Sequence, residues 1–485
     1  MNYAILDCYT DEPSGLGVPP YLGTYPRYIY GYLKSNGITP KYITIDDLRL
    51  SVFYNDKIEE VSVKDKTNIR IHNLTKNNAP EVLSRAHILI IVLGVHAPGK
   101  YLTAIPGTMN EITRFLSDFS CKKILTGPGV FGTQLEGGKF SENTDIKGFV
   151  SRHFNFSYDE ISKYSVLGAE ILNQIPDKRI IEIETARGCN IGTCSFCTEP
   201  LKSGFHTRKT EAIVKEVKKF YDLGARYFRL GKQSDFYAIE NPVLLLKSIR
   251  NKCPKIDVLH IDNVNPISVV KDKERNITKS IVKYCSPGNI AALGIESFDP
   301  EVIRLNTLNC SRDIAMKAIR IINEYGSERG KNGMPKFLPG INLLFGLMGE
   351  SRQTHRHNFQ RLIEILESGL ILRRINIRQV SLLPGTRISE EAGNKYLRKN
   401  KKYYWKWRNE IRQKIDYPML KRLVPSGTIL KNVYSEIYDG KTTFARQFGT
   451  YPLIVGIKKR IPLKRFYDVE IKEHMLRSVV GEVRE

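Results

Sequence analysis

Between residues 1 and 390, short apolar runs rich in β-branched residues alternate with longer stretches in which apolar positions return every three or four residues. The first kind of run predicts buried strands and the second amphipathic helices. NYAILD, PKYITID, HILIIVLG and CKKILTGPG predict strands in residues 1–178, with a helix over YPRYIYGYLKSNG that stops at Gly37. RIIEIET, ARYFRLG, IDVLHID, IAALGIES, FLPGINLLFG and RRINIRQV predict six more strands in 179–390. Helices fall between them, such as EAIVKEVKKFYDLG, SRDIAMKAIRIINEYG and QTHRHNFQRLIEILESG. Strand–helix alternation implies parallel sheets with their working edge at the strand C-termini. The fold class expected is therefore α/β: an N-terminal doubly wound parallel sheet, then a partial (β/α)6 barrel. Past residue 420 the period shortens to strand-length runs broken at Asp439-Gly440, Gly449 and Ile461-Pro462, which predicts a small C-terminal β-barrel over 420–485.

Composition narrows the class. The 485 residues are enough for two or three domains, and 41% hydrophobic content supports packed cores. No run of eighteen apolar residues occurs, so no membrane partner is expected. The N-terminus lacks a signal-like segment, and a cytoplasmic protein is expected. The 75 Lys+Arg against 51 Asp+Glu give a net charge of +24, which points to a polyanionic partner, although Lys-, Glu- and Ile-rich chains also occur in proteins from hot environments. The charge concentrates in the linker 391–419. There KYLRKNKKYYWKWRNEIRQK interleaves nine Lys/Arg with aromatic residues, among them Lys401, Lys402, Trp405 and Trp407. Such a stretch either docks its aromatics on a neighbour or offers a cationic, stacking surface to the phosphates and exposed bases of a nucleic acid.

The chemistry sits in IEIETARGCNIGTCSFCTEP. Cys189, Cys194 and Cys197 lie on a loop directly after the first strand of the second α/β region, four and two residues apart. Three thiolates on one loop suit a 4Fe-4S cluster that keeps one iron open. A zinc site with His206 as fourth ligand is the alternative, although the next thiol, Cys253, lies far along the chain. The other cysteines, Cys8 and Cys121 included, are scattered and suggest no disulfide framework. Two thiols in residues 1–178 are too few for a three-thiolate auxiliary cluster from that region alone.

A cysteine loop after the first strand of a β/α array resembles the radical S-adenosylmethionine (SAM) superfamily, here with CX4CX2C in place of the common CX3CX2C. The resemblance implies a 4Fe-4S cluster on Cys189, Cys194 and Cys197, SAM on the open iron, and an external electron donor. It also implies cofactor contacts: Phe196 near the adenine, and Gly231, Lys232, Gln233 and Asp235 where the family often has a GGE turn. Glu296 and Ser297 stand in a G-x-E-S-like segment, and Asn342 on the fifth strand. For Glu296 and Ser297 a helix cap is the alternative reading. Cys8 and Cys310, just beyond strand ends, are the candidate catalytic thiols. The N-terminal region resembles the cobalamin-binding-like domain of many members but lacks a DxHxxG signature, leaving His96 as the one histidine on the expected edge. Cobalamin or an auxiliary cluster stays open as a further cofactor.

The C-terminal strands resemble a TRAM domain, an RNA-binding module, with Lys441, Arg446, Lys459 and Arg460 on its phosphate face. Over almost its full length the chain resembles an archaeal group of radical SAM proteins, carried by IETARGC, CSFCTEPL, LHIDN and LLPGTR. The layout resembles methylthiotransferases and implies methylthiolation or methylation of a tRNA or rRNA nucleoside. Two alternatives stand beside it: a cobalamin-dependent methyltransferase acting on a protein, lipid or small molecule, and a non-catalytic RNA-binding protein with a structural cluster.

Overall fold

The computed structural model describes residues 1–9, 22–55, 71, 73–94, 105–131, 146–176, 180–201 and 204–484. Strands β1 (Tyr3–Asp7), β2 (Lys41–Thr44), β3 (Ile88–Val92), β4 (Lys122–Thr126) and β5 (Phe149–Ser151) form one parallel sheet in the order β2-β1-β3-β4-β5. ILIIV in β3 is aliphatic at every position, and four of its five residues are buried. Strands covered on both faces need this composition, since no side has water to meet. The expected PKYITID strand stops at Thr44, because the Thr44 hydroxyl and the Asp47 carboxylate build a capping box that starts the helix Ile45–Tyr54.

Contacts divide the chain into two compact units. The first comprises Met1–Ile183, Arg208–Phe228 and Asn251–Ile256. In its interior Arg27 and Arg208 both pair with Glu216, and all three side chains are fully buried. Burial would raise the Glu216 carboxyl, but the two guanidinium groups hold it below its ordinary range.

The second unit comprises Glu184–Thr207, Arg229–Arg250 and Asp257–Glu485. The strands of this half of the chain are β6 (Ile180–Glu184), β7 (Ala186–Arg187), β8 (His206–Thr207), β9 (Tyr227–Gly231), β10 (Val258–Ile261), β11 (Asn263–Val264), β12 (Asn289–Glu296), β13 (Phe337–Phe345) and β14 (Arg374–Gln379). One sheet has the order β10-β9-β6, and β11-β12-β13-β14 form a parallel sheet. The basic linker is a helix, Lys395–Ile411, continued by a π-helical turn at Arg412–Asp416 and a helix at Tyr417–Leu423.

Five strands then close into a barrel: β15 (Ile429–Asp439), β16 (Thr442–Gln447), β17 (Ile454–Ile457), β18 (Phe466–His474) and β19 (Val479–Val483), in the order β15-β16-β17-β19-β18. Its core residues Leu430, Val433, Val455 and Val469 pack with Met334, Leu338, Leu420 and Leu423 from outside the barrel. The loop after β16 reaches the central strands. Thr450 donates its backbone N–H to His260 Nδ1 (3.1 Å), and the Tyr451 hydroxyl donates to Asp262 (2.8 Å). Asp262 also pairs with Arg229, while the Arg374 guanidinium lies 4.2 Å from the Tyr451 ring centroid. Burial pushes His260 down to about 4, so the ring is neutral and can accept that bond. A Cβ at Gly449 would come within 2.8 Å of the His260 ring, so this approach needs a glycine.

Candidate active site

The cysteine loop is seated by polar side chains from three later segments. Thr185, just past β6, donates its N–H to the Gly231 carbonyl (3.1 Å) and its hydroxyl to Gln233 Oε1 (3.0 Å). Gly192, with φ +66°, turns the loop so that its N–H points at Cys189 Sγ (3.4 Å). That left-handed turn accommodates the residue by which CX4CX2C exceeds the shorter spacing. Ser195 donates its hydroxyl to Asn306 Oδ1 (2.7 Å), its N–H bonds the Asn306 carbonyl (3.0 Å), and its own carbonyl accepts from Ile388 (3.0 Å). Asn306 is fully buried and donates to the carbonyls of Val302 and Met348, which ties the loop to the turns after β12 and β13.

All eight cysteines are free; Cys189, Cys194 and Cys197 are half-buried, and the other five are buried. Burial, then Cys197 and Glu296, pushes the Cys194 thiol up to about 12. Thiols on a part-buried loop would need a cationic centre to ionise, which a cluster would supply. Among the described residues no three His, Cys, Asp or Glu side chains gather around a single-ion position. A cuboidal cluster asks for something else, one thiolate per iron. His206 is exposed on β8, its backbone paired with Arg187.

At the neighbouring strand ends, Lys232 (φ +66°) and Glu296 (φ +64°) both adopt the left-handed conformation, which costs a non-glycine residue about 1–3 kcal/mol. Glu296 stands at a register shift in the β12–β13 ladder. Burial pushes its carboxyl up to about 8, with Arg378 offsetting part of the effect. Among the described residues it makes no hydrogen bond, and it interacts electrostatically with Cys194 and Cys310. Cys310 is buried beside it, and burial pushes its thiol up to about 12. Asn342 accepts from Asn376 Nδ2 (3.1 Å). Cys8, in the first unit, is buried beneath Gly107 just past β1. His96 lies outside the described residues.

Several expected contacts have other work. Gln233 is spent on Thr185 and the Leu230 carbonyl. The Asp235 carboxylate accepts from Tyr237 N, Asn265 N and the Ser268 hydroxyl, so it caps a turn. Ser297 bonds Asn358 and Asp299 N, which matches the capping reading for this residue. Phe196 packs in the apolar cluster of Val302, Leu347, Val380 and Ile388 and helps to seat the loop. Asn306 and Arg378 went unrecognised, because nothing local distinguishes them from ordinary loop or strand residues.

The basic surface also needs correction at two positions. Trp407 is buried, stacked on His355 (5.1 Å between ring centroids) and on Tyr403 (5.5 Å), because the helix docks that face. Arg446 is buried and paired with Glu436. Neither can contact RNA on a surface. Trp405 is 62% exposed with the Arg408 guanidinium 5.1 Å from its ring, and Lys401, Lys402, Lys441, Lys459 and Arg460 are exposed. No helix among the described residues is long and apolar enough to cross a membrane.

The fold thus places a three-thiol loop, clamped by later segments, directly behind the first strand of a β/α array. The radical SAM superfamily model matches residues 183–343. The chain is 39% identical to an uncharacterised protein of Methanocaldococcus jannaschii, over 99% of this chain and 92% of that one. It is 38% identical to an uncharacterised protein of Archaeoglobus fulgidus, over 99% and 90%. The chain belongs to the radical SAM superfamily, whose members use a 4Fe-4S cluster and SAM. Among solved structures it is similar to the radical SAM methyltransferase TsrM of Kitasatospora setae, at 12% identity and TM-score 0.49, covering 80% of this chain and 77% of that one. It is also similar to the cobalamin-dependent SAM radical enzyme OxsB, at 13% identity and TM-score 0.47, covering 84% and 56%. Likenesses this distant carry no argument about substrate.

Proposed function

We propose that this radical SAM enzyme is a transferase that methylates or methylthiolates a tRNA or rRNA nucleoside. The observation that carries the substrate class is the exposed Trp405, set among Lys401, Lys402 and Arg408 on the helix Lys395–Ile411. An exposed indole beside cations suits an unstacked base and its phosphates. Cys189, Cys194 and Cys197 would hold the cluster. With Gln233 and Asp235 committed elsewhere, the backbone at Gly231 and Lys232 would hold the SAM amino group, and Glu296 would face its polar end. When bound and reduced by an external electron donor, the cluster would supply 5′-deoxyadenosyl radical chemistry from SAM to the site. This chain's residues would orient the bound SAM and limit the access of water; the apolar cluster of Val302, Leu347, Val380 and Ile388, on which Cys194 and Phe196 pack, supplies a low-polarity wall beside the loop.

The test is mass spectrometry of digested tRNA and rRNA nucleosides from a strain lacking the protein and from its parent. Loss of one nucleoside is expected, and its mass separates methylthio from methyl chemistry. An unchanged set overturns the RNA reading. RNA binding should also weaken steeply with added salt.

One observation favours a second reading. The N-terminal sheet reverses its strand order between β1 and β3, and in open parallel sheets such a point is where cofactors lie. Cobalamin beside Cys8 and Gly94 would make the protein a cobalamin-dependent methyltransferase. A cobalt spectrum in protein produced with cobalamin supplied tests this.

A further inference from the structure

An open pocket of about 530 Å³ lies on the closed barrel where β15 meets β18, and its lining includes Lys431, Asn432, Phe466, Asp468 and Arg484. We infer that this pocket is a nucleotide subsite that takes one unstacked base of a single-stranded RNA and its phosphate. The inference rests on the RNA reading above and locates part of the substrate within it.

The pocket exists because the ladder is interrupted. Pairing of β15 with β18 shifts register between Leu430 and Val433, and Asn432 takes φ +56° at that bulge. Bulges open a sheet and re-aim side chains, and they are common beside binding sites. The bulge is held in place from behind. Lys431 N–H bonds the Asn332 carbonyl (3.1 Å), Gln447 donates to the Lys431 carbonyl (2.8 Å), and Asn432 N–H bonds Asp468 Oδ1 (3.2 Å). With its backbone tied inward, Lys431 leaves an exposed side chain at the pocket.

Phe466 is 44% exposed, a large ring left at the surface while it packs on Tyr434 (5.0 Å between centroids) and Phe448 (5.6 Å). A fixed ring with a wet face is a stacking platform for any base. Around it stand the groups a nucleotide requires. The Asn432 amide can pair with a base edge, and the Asp468 carboxylate can accept from an exocyclic amino group. Lys431 and Arg484, the latter also 3.4 Å from Glu470, supply positive charge for a phosphate. The volume falls in the ordinary range for small-ligand sites.

The test uses cluster-loaded full-length protein and a fluorescein-labelled single-stranded RNA of about 10 nucleotides, read by anisotropy. Phe466→Ala should weaken binding about 5- to 100-fold, the value of one lost stacking contact. Phe466→Leu, which keeps an apolar side chain, should show most of that loss. Asn432→Gly, which suits the left-handed backbone, should weaken binding and change base preference. RNA-independent 5′-deoxyadenosine formation should match the unsubstituted protein in all three; unfolding temperature should stay close to it in Phe466→Leu and Asn432→Gly, and fall modestly in Phe466→Ala, which gives up the contacts with Tyr434 and Phe448. If that protein binds RNA and every variant binds equally well, the pocket assignment falls and the RNA reading stands. If it binds no RNA at any salt concentration, both fall. Photocrosslinking with 4-thiouridine RNA gives a separate readout: adducts on the Phe466–Asp468 peptide support the subsite, and adducts confined to the helix Lys395–Ile411 overturn it.

Discussion

The central strands of the second unit carry two clusters of part-buried polar groups, one at Glu296 and one around Asp262, and they are built on opposite terms. Around Asp262 the carboxylate is well partnered: Arg229 pairs with it, Tyr451 donates to it, and Arg374 covers the Tyr451 ring. Around Glu296 the backbone is strained, the carboxyl is pushed up by burial, and two thiols stand close by. A matched cluster stabilises a fold, whereas an unmatched one is kept for something that binds there. The contrast separates a carboxylate whose partners are in place from one that burial leaves without a cation in contact.

The contrast can be broken most directly at the cysteines. Replacing Cys189, Cys194 and Cys197 by Ala should abolish iron content and 5′-deoxyadenosine formation while circular dichroism stays native; a large loss of folding would make the cluster structural. Tyr451→Ala should do the reverse, costing about 3–5 kcal/mol in denaturant unfolding with SAM cleavage retained by the folded fraction. Two buried groups nearby should respond to pH in opposite senses. His260, with its folded-state value pushed down to about 4, adds stability that is present above about 6.5 and lost as pH falls through 4. Burial pushes Glu350, which closes the turn after β13 by accepting from Gly346 N, up to about 7. Its folded form holds the proton longer than the unfolded one, so its contribution declines as pH rises from about 4.5 to 7. His260→Gln should flatten the acid limb of the stability profile and Glu350→Gln the limb toward neutrality, by up to about 3 kcal/mol each. Glu296→Gly should raise stability by about 1 kcal/mol through relief of the left-handed backbone, and should impair SAM cleavage. Smallest of all, Trp405→Ala should change stability by less than about 0.5 kcal/mol, with its effect confined to RNA affinity.

Much of this was legible in the chain. The strands announced themselves by β-branched runs, and the three thiols by their spacing on a loop after RIIEIET. The short runs past residue 420 read as a small barrel, and the closed barrel there has five strands. What stayed hidden depends on contacts between distant residues. Helical spacing placed aromatics on the linker but could not say which face docks, so Trp405 and the buried Trp407 looked alike. Arg446 looked like its exposed neighbours because its partner, Glu436, lies on the strand across from it. Gln233 and Asp235 stood where a cofactor ligand was wanted, and only the fold shows their hydrogen bonds already taken.

The Tyr451 contact bears on biosynthesis. A chain emerging from the ribosome delivers Arg229 and Asp262 long before the residue that completes their environment, and domains form roughly in the order in which they are made. The central strands therefore wait, with a charged cluster incompletely covered, until the segment from Phe448 to Tyr451 arrives. A nascent or truncated product that lacks it would present exposed charge and an unfilled gap to the cell's proteases. The barrel thus completes the surroundings of strands made well before it.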